Sequence, residues 1–353
     1  MNIYDYLVWR GDVPFSLAPF NPVDNLILSR LSYTRFNGIV SVAPVPLGEA
    51  AQAVRQQGNT DATMILTGES QRFSACQICL YAEETDADAE KQFAAMTVLS
   101  PDGAVNICYR GTDNTLVGWR EDFNLAFATP VPAQRAAVSY LNRAAALHDG
   151  PIRVMGHSKG GNLAVYAAAF AEDEVQRRIE TVYNDDGPGH DGETLRSAGY
   201  RAVRDRIHTY IPQSSIVGLL LEQAENYEII QSSAVSVLQH DPMSWLVTPT
   251  GFIPAQGISP GSLYLSDTVR LWLAQLSSDE RRAFTNALFD VLEASGAKTL
   301  DGIKQNWRSA VPAMIRELRK IDIQSAAMLL EISNAFIRAA LRVKEADEPR
   351  LNP

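Results

Sequence analysis

The chain has 353 residues and a formal net charge of −10, and 46% of its residues are hydrophobic while 20% are charged. These proportions are typical of a globular protein that is long enough to bury a sizeable core. The negative charge argues against a nucleic-acid-binding protein and against tight docking on anionic membranes, because no basic face is available to neutralise phosphates.

The N-terminal segment predicts neither a leader nor an anchor. Residues 1–6 lack a basic region followed by an apolar stretch, so we expect no signal peptide. No run of about 18 apolar residues occurs, so we predict no transmembrane segment. Further on, Asn21 followed by Pro22 predicts the capped start of an amphipathic helix. Residues 41–72 are weakly patterned and fit either a helix or a surface loop.

The cysteines favour a reduced compartment. Cys76, Cys79 and Cys108 are an odd number in a long chain, which argues against a disulfide framework and predicts a cytoplasmic protein. The first two have C-x-x-C spacing, but no second pair exists that could complete a metal site. We therefore expect them to pack in the core, with no metal bound.

Apolar runs of strand length recur through the middle of the chain. They are Ala94–Leu99, Val105–Tyr109, Ile152–Met155, Glu180–Asn184, Ile207–Ile211 and Tyr227–Ile230. Between residues 152 and 211 these runs alternate with helical patterns over 162–171 and 192–205, which predicts a parallel sheet with crossover helices. Pro101-Asp102-Gly103 predicts a hairpin between the first two runs, so the sheet should be mixed at its start. The predicted fold class is α/β, with a mostly parallel sheet.

After about residue 265 the pattern becomes helical throughout. Ser277 and Glu280 form a capping box, apolar residues follow at helical spacing, and Gly296 fits the end of that helix. Two further amphipathic helices are predicted over about 300–320 and 323–345. We therefore predict an α/β domain over residues 1–265 and a C-terminal helical extension over 266–353. The extension should be a packed appendage rather than a helix that binds a partner or a membrane surface.

The most informative stretch is residues 152–164, where an apolar run ends in Gly156-His157-Ser158-Lys159-Gly160 and a helical pattern of small residues follows. Gly-x-Ser-x-Gly between a strand and a helix is typical of a nucleophile elbow, whose tight turn lifts the serine hydroxyl above the sheet. The glycines supply the room that this turn needs. The pattern predicts an α/β-hydrolase core in which Ser158 is the nucleophile of a serine hydrolase.

A serine hydroxyl needs a base, and histidine is the usual one because it titrates near neutrality. We predict His240, which follows the last predicted strand, as the chain order nucleophile, acid, base of this fold requires. His190, after a glycine-rich turn, stays the alternative. The other three should not act as bases: His148 precedes the elbow strand, His157 should point away from the serine, and His208 lies inside a strand.

The acid should come from the end of a strand between the serine and the histidine, and should orient the imidazole. Asp185 and Asp186 follow the Glu180–Asn184 run, at the sheet edge where catalytic groups of parallel sheets collect. We favour Asp186, because the glycine after it frees the turn. Asp185 should point to the opposite side. The alternative is that the two aspartates only cap a turn.

An oxyanion hole needs two backbone N–H groups. The N–H of Lys159, directly after the nucleophile, is the first candidate. The second is Thr112 in Tyr109-Arg110-Gly111-Thr112, which follows an earlier strand and offers both an N–H and a hydroxyl. Trp119 and Asp122 could fix that loop. The alternative is an ordinary turn at the end of a strand.

These motifs carry a resemblance to a known family. Residues 108–112, Trp119-x-x-Asp122 and residues 156–161 resemble, in order and spacing, the class 3 lipases among the α/β-hydrolases. The chain is still more similar to an uncharacterised bacterial family of class 3-lipase-like proteins, the Mbeg-like proteins, over about residues 1–250. The segments that carry this second resemblance are 5–12, 156–164, 184–189 and 239–245. The resemblance implies that the Arg110-Gly111-Thr112 element supplies an oxyanion donor, supported by Asp122.

One departure from the class 3 lipases concerns the acid. Those lipases place it just before an Ile-Val-Pro-like segment, where this chain has Ser215-Ile216-Val217-Gly218. Either the acid has moved one strand, to Asp186, or the triad is incomplete.

The sequence thus predicts a cytoplasmic carboxylic-ester hydrolase of the lipase/esterase type, acting on a small-molecule ester or lipid. The catalytic residues are Ser158, His240 and Asp186, with Arg110, Gly111, Asp122 and Asp185 in supporting positions. No cofactor, metal or nucleic acid is implied. The alternative is a catalytically weak or inactive scaffold that binds a lipid or a protein. Residues 216–221 should be core rather than an acyl-chain wall, and Lys159 fits either an anionic substrate group or a surface position.

Overall fold

A single mixed sheet organises the chain. The computed structural model describes residues 1–125 and 127–318. Eight strands lie side by side in chain order. They are β1 (Val45–Pro46), β2 (Gln77–Asp86), β3 (Lys91–Leu99), β4 (Val105–Tyr109), β5 (Ile152–His157), β6 (Ile179–Asp185), β7 (Ile207–Pro212) and β8 (Tyr227–Ile230).

The sheet changes direction at β4. Strand β1 pairs with β2 and β3 with β4 in antiparallel fashion, whereas β4 to β8 are parallel throughout. This arrangement confirms the mostly parallel sheet with a hairpin at residues 101–103. The register puts His157 of β5 opposite Asp185 of β6, and Asp185 opposite Tyr210 of β7. The residues that directly follow β5 and β6 therefore lie at the same level.

Helices make up much of the rest of the described chain. They are α1 (Ile3–Arg10), α2 (Pro22–Leu31), α3 (Leu47–Gln56), α4 (Ala62–Glu69), α5 (Leu116–Asn124), α6 (Pro132–Leu147), α7 (Lys159–Phe170), α8 (Asp173–Arg178), α9 (Gly192–Arg196), α10 (Ala198–Val203), α11 (Pro260–Ala274), α12 (Ser278–Glu293), α13 (Leu300–Gln305) and α14 (Trp307–Leu318). None of the helices in the described part of the chain is long and apolar enough to cross a membrane.

Both faces of the sheet are buried. Helices α1 to α4 pack on one face in a cluster that includes Met155, and α6, α7, α8 and α10 pack on the other in a cluster that includes Val154. Neighbouring residues of one strand face opposite sides, so β4, which is buried along its whole length, contributes side chains to both clusters, as strands covered by helices on both sides do. Together with the parallel strands, this layering is that of an α/β-hydrolase core.

Most of the predicted helices and strands match those of the structure. The helix that begins at Pro22 has Asn21 as its N-cap, and the capping box at Ser277 is formed. Residues 41–72 contain two helices, α3 and α4, and the helical pattern over 192–205 is broken into α9, α10 and a 3-10 turn. The helix predicted over about 300–320 is the pair α13 and α14, while the one over 323–345 lies outside the described residues.

Two compact units form, and both are discontinuous in sequence. The first comprises Met1–Glu84, Phe93–Gly111 and Pro132–Ser259. The second contains Thr85–Gln92, Thr112–Val131 and the chain from Pro260 onwards. Within the second unit, Phe123 of α5 packs edge-on against Phe289 of α12. The division at residues 265 and 266 stays a prediction, as does the role of the helical extension.

The three cysteines are buried and free. Burial raises the pKa of the Cys76 thiol to about 12 and that of Cys79 to about 11. Both side chains belong to the core, as the sequence predicted, and such thiols are poor nucleophiles at neutral pH.

Candidate active site

Ser158 lies in a strained turn between β5 and α7. Its φ is 61° and its ψ is −134°, a left-handed backbone that residues other than glycine rarely adopt. Strain of this kind costs on the order of 1–3 kcal/mol and persists only where the surrounding structure enforces it. A strained serine between a strand and a helix is the geometry of a nucleophile elbow.

Two glycines allow this turn to form. A Cβ at Gly156 would collide with the backbone of Gly160, and a Cβ at Gly160 would collide with the carbonyl group of Tyr109 on the neighbouring strand. The first turn of α7 therefore contacts the backbone of β4 and β5 directly, which places Ser158 at the end of the sheet.

His240 lies beside the serine hydroxyl. It ends a 3-10 helix, Ser236–His240, in the chain that follows β8. Its Nε2 is 2.9 Å from Ser158 Oγ, and its Nδ1 is 2.7 Å from Asp186 Oδ2. A carboxylate only accepts hydrogen bonds, so Nδ1 carries the proton and Nε2 accepts from the serine hydroxyl. The His240 side chain is 27% exposed while that of Asp186 is fully buried, so the site opens to solvent on the histidine side.

The Asp186 carboxylate is engaged by three donors. It follows β6 with φ 54°, in the left-handed region, and its N–H donates to the carbonyl of Tyr210. Oδ2 accepts from His240, while Oδ1 accepts from the hydroxyl of Ser215 at 2.6 Å and from the N–H of Gly218 at 3.2 Å. These bonds fix the plane of the carboxylate and direct one oxygen at the imidazole.

Ser215 is the serine at which the sequence departs from the class 3 lipases that it resembles. It is buried and its hydroxyl donates to the carboxylate one strand away. In the structure the imidazole contacts the aspartate that follows β6, and the serine after β7 donates to that aspartate. The assignment of Asp186 as the acid stays a prediction.

Asp185 faces the other side of the sheet. Its carboxylate accepts two contacts, at 2.8 and 3.0 Å, from the side-chain amide of Asn25 on α2. Burial raises the pKa of Asp185 to about 7. Its backbone carbonyl accepts the N–H of Ser158 at 2.9 Å, so this residue supports the elbow through its main chain.

His157 packs against His240 and Tyr33. Its Nε2 is 2.7 Å from the backbone oxygen of His240, and its Nδ1 is 3.1 Å from the hydroxyl of Tyr33. The rings of His157 and His240 are 4.6 Å apart at their centroids. Burial, and then the nearby His240, lower the pKa of His157 well below its ordinary value.

The remaining histidines lie elsewhere. His190 is buried against Tyr166 and Tyr200, and burial lowers its pKa to about 4. His148 contacts the thiol of Cys79, and His208 is exposed on β7. The structure thus brings His240 alone among the five to the serine hydroxyl.

Lys159 begins α7 and is only 1% exposed. Its interpretation as a surface lysine is wrong. The positive end of the helix dipole favours negative charge at this position, which suits a backbone donor directly after the nucleophile.

The loop after β4 lies against the elbow. A Cβ at Gly111 would collide with the Tyr33 hydroxyl and with the carbonyl oxygen of His157. Arg110 is buried and forms an ion pair with Glu83 at 2.9 Å. These contacts leave no room for a side chain at Gly111, which explains the glycine of the Arg-Gly-Thr element.

Thr112 belongs to the second unit, together with Asp122. Its hydroxyl donates to a carboxylate oxygen of Asp122 at 2.5 Å. A hydroxyl has one hydrogen to donate, so the Thr112 hydroxyl is committed to Asp122. Its predicted role in the oxyanion hole stays a prediction.

Sequence reasoning missed two residues of the first unit that touch this site. Nothing in the sequence marked Tyr33 as a site residue, because a tyrosine after an amphipathic helix does not stand out from its neighbours. The sequence did contain a signal for Asn25, which is next to the apolar residues Leu26, Ile27 and Leu28. In the structure Asn25 is fully buried. A polar residue on the apolar part of a helix needs a buried partner, and Asp185 is that partner.

Comparison with known proteins identifies a family that the chain matches. A family model described as Mbeg1-like matches residues 67–290. No match is found among curated proteins. Among solved structures, the crystal structure of M37 lipase is similar with a TM-score of 0.38 and 14% sequence identity, over 56% of this chain and 69% of that chain.

Proposed function

We propose that this chain, which belongs to the Mbeg1-like family, is a serine hydrolase that cleaves carboxylic esters through an acyl-enzyme on Ser158. The observation that carries the proposal is the chain of two hydrogen bonds from Ser158 Oγ to His240 Nε2 and from His240 Nδ1 to Asp186 Oδ2, at 2.9 and 2.7 Å. A nucleophile, a base and an orienting carboxylate in this order are what acyl transfer requires.

The reaction begins when the Ser158 oxygen attacks the ester carbonyl carbon and its proton passes to His240 Nε2. The imidazolium that forms is stabilised by Asp186, which stays ionised. The proton then passes to the alcohol oxygen as the carbon–oxygen bond breaks, leaving the acyl group on the serine. In the second half, His240 takes a proton from water as the water oxygen attacks the acyl carbon. The bond between that carbon and Ser158 Oγ then breaks, the serine oxygen takes the proton from His240, and the carboxylic acid leaves.

Charge on the carbonyl oxygen develops at each attack, and backbone donors aimed at that oxygen lower the barrier. Lys159 is the proposed first donor, because its N–H lies at the start of α7 directly after the nucleophile. Thr112 is the proposed second donor.

The substrate class is suggested by the surroundings of the base. Leu238 is 65% exposed and Val235 is 71% exposed, both within a few residues of His240. Residues 216–221 are half-buried except for Gly218. Exposed apolar side chains beside a hydrolytic centre favour an ester with an apolar acyl or alcohol part, as in esterases and lipases.

Labelling with a fluorophosphonate probe tests the proposal. Wild-type protein should be labelled at Ser158, as peptide mass spectrometry would show, and should hydrolyse p-nitrophenyl esters. Ser158→Ala should lose both properties. Ser139→Ala, an exposed serine on α6, should lose neither. A wild-type protein that is folded but is neither labelled nor active would overturn the proposal and favour a scaffold that binds a lipid or protein partner.

A further inference from the structure

The histidine before the nucleophile contacts the base loop, the segment 234–245 that carries His240. The carbonyl oxygen of His240 can only accept a hydrogen bond, so His157 Nε2 must carry a proton in the 2.7 Å contact between them. His157 Nδ1 is then the acceptor, and the Tyr33 hydroxyl at 3.1 Å donates to it. Both ring nitrogens of a neutral His157 are thereby satisfied.

Packing restricts the same residue further. His157 is buried, and its ring lies against His240 with centroids 4.6 Å apart and planes tilted by 35°. Trp245 lies edge-on to His157 at 6.1 Å and donates its indole N–H to the carbonyl of Gln239 at 2.9 Å. Two consecutive carbonyls of the base loop, those of Gln239 and His240, are thus each held by a buried ring.

We infer that His157 is a positioning residue, which fixes the base His240 relative to the nucleophile through its hydrogen bond to the His240 carbonyl and its contact with the His240 ring. The inference rests on the proposed function, since it assigns a role within the same site. His157 and Ser158 are consecutive, so this bond ties the base loop directly to the elbow. Movement of the loop would change the distance between Ser158 Oγ and His240 Nε2, which is 2.9 Å.

His157 must also be neutral to act as a positioning residue. During acyl transfer His240 becomes an imidazolium, and a second cation against its ring would oppose that charge. Burial keeps the pKa of His157 low, so His157 can hold the loop without competing for the proton.

A pair of variants separates positioning from packing. His157→Phe keeps a buried ring but removes the donor, whereas His157→Gln removes the ring but offers an amide N–H near the position of Nε2. We expect His157→Phe to lower kcat by about 10- to 100-fold with KM changed less than about threefold, because small misplacements of catalytic groups have effects of this size. His157→Gln should recover most of that loss. His190→Phe, a matched change at a buried histidine that packs against Tyr166 and Tyr200, should alter stability but leave kcat unchanged.

Two further measurements cover a variant that fails to fold. Tyr33→Phe removes only the hydroxyl that fixes the His157 tautomer, and should lower kcat several-fold in a folded protein. Two-bond ¹H–¹⁵N spectra of the wild type should show His157 in the Nε2–H form without titration between pH 5 and 8. Loss of its signals in His157→Gln assigns them and separates them from those of His190, whose pKa burial also lowers.

Equal kcat values in the Phe and Gln variants, or losses that follow melting temperature alone, would overturn the inference. A folded Tyr33→Phe variant with wild-type kcat, or a His157 ring that titrates in this range, would overturn it as well. Loss of the proposed function itself looks different, because the wild type would then be neither labelled nor active.

Discussion

Asparagine at position 186 should abolish most of the turnover while keeping the fold. In the native protein, Asp186 Oδ1 accepts from Ser215 and Gly218 while Oδ2 accepts from His240. The N–H of Gly218 can only donate, so the asparagine oxygen must occupy the Oδ1 position. The amide NH₂ then faces His240 Nδ1 and donates to it, which moves the imidazole proton to Nε2. In that tautomer His240 donates to Ser158 and no longer accepts its proton.

The expected loss in kcat is about 10³–10⁴, as a wrong tautomer causes in other triads, which corresponds to about 4–5.5 kcal/mol of activation free energy. Asparagine is the substitution of choice because it tolerates the left-handed backbone that Asp186 adopts, with φ 54°. Stability should therefore change little, apart from the lost charge-assisted bond.

The assay is p-nitrophenyl ester hydrolysis over a range of substrate concentrations, with circular dichroism and thermal melting on the same samples. Asp185→Asn makes the same chemical change one residue earlier, on the opposite face of the sheet, and its kcat should stay within about threefold of wild type. The reasoning is refuted if Asp186→Asn keeps more than about a tenth of the wild-type kcat, or if Asp185→Asn is the more damaging of the two.

Three further predictions follow from the same geometry. Ser158→Ala should lower ester hydrolysis by several orders of magnitude without unfolding the protein, as activity and melting curves of the purified variant would show; retained activity would contradict the elbow assignment. His240→Ala should match the serine variant in kcat, whereas His148→Ala should act on stability alone; the reverse result would mean that another histidine is the base. Asp185 should lower wild-type stability by about 1.4 kcal/mol per pH unit as the pH rises from 5 to 6, because native Asp185, with its pKa raised to about 7, binds a proton that the unfolded chain has released. The buried histidines, whose pKa is lowered, contribute the opposite slope in the wild type and in Asp185→Asn alike. Urea unfolding at several pH values should therefore show the Asp185 contribution as the difference between the two proteins, and equal slopes would exclude it.

The sequence predicted the parallel part of the sheet well, because runs of apolar residues recur in its strands. Val105–Tyr109 and Tyr227–Ile230 match the observed strands at both ends. It also predicted which residues the structure brings together at the sheet edge, since Ser158 and Asp186 both follow strands that end at the same level. Boundaries were less certain where helices are short, as in the pieces between residues 192 and 206.

The contacts of His157 could not be predicted in the same way. Side chains alternate along a strand, so Gly156 and His157 face opposite sides of the sheet. This alternation predicts the side on which the His157 ring lies, but it does not predict which loop covers that side. The covering groups are His240, 83 residues later, and Tyr33, 124 residues earlier. Such contacts depend on how a loop folds back over the sheet, and loop paths have no periodicity from which to infer them.

The bond between Ser215 and Asp186 has a consequence for how such a site can change over time. Strands β6 and β7 are adjacent and parallel, and the side-chain oxygens of Asp186 and Ser215, which follow them, lie 2.6 Å apart. A carboxylate after either strand is therefore near the same imidazole. A descendant with acids at both positions would share one proton between them, as close carboxylate pairs do, and would keep an oriented base throughout. From that intermediate either acid could be lost, so the triad's acid could pass from one strand to the next without an inactive ancestor.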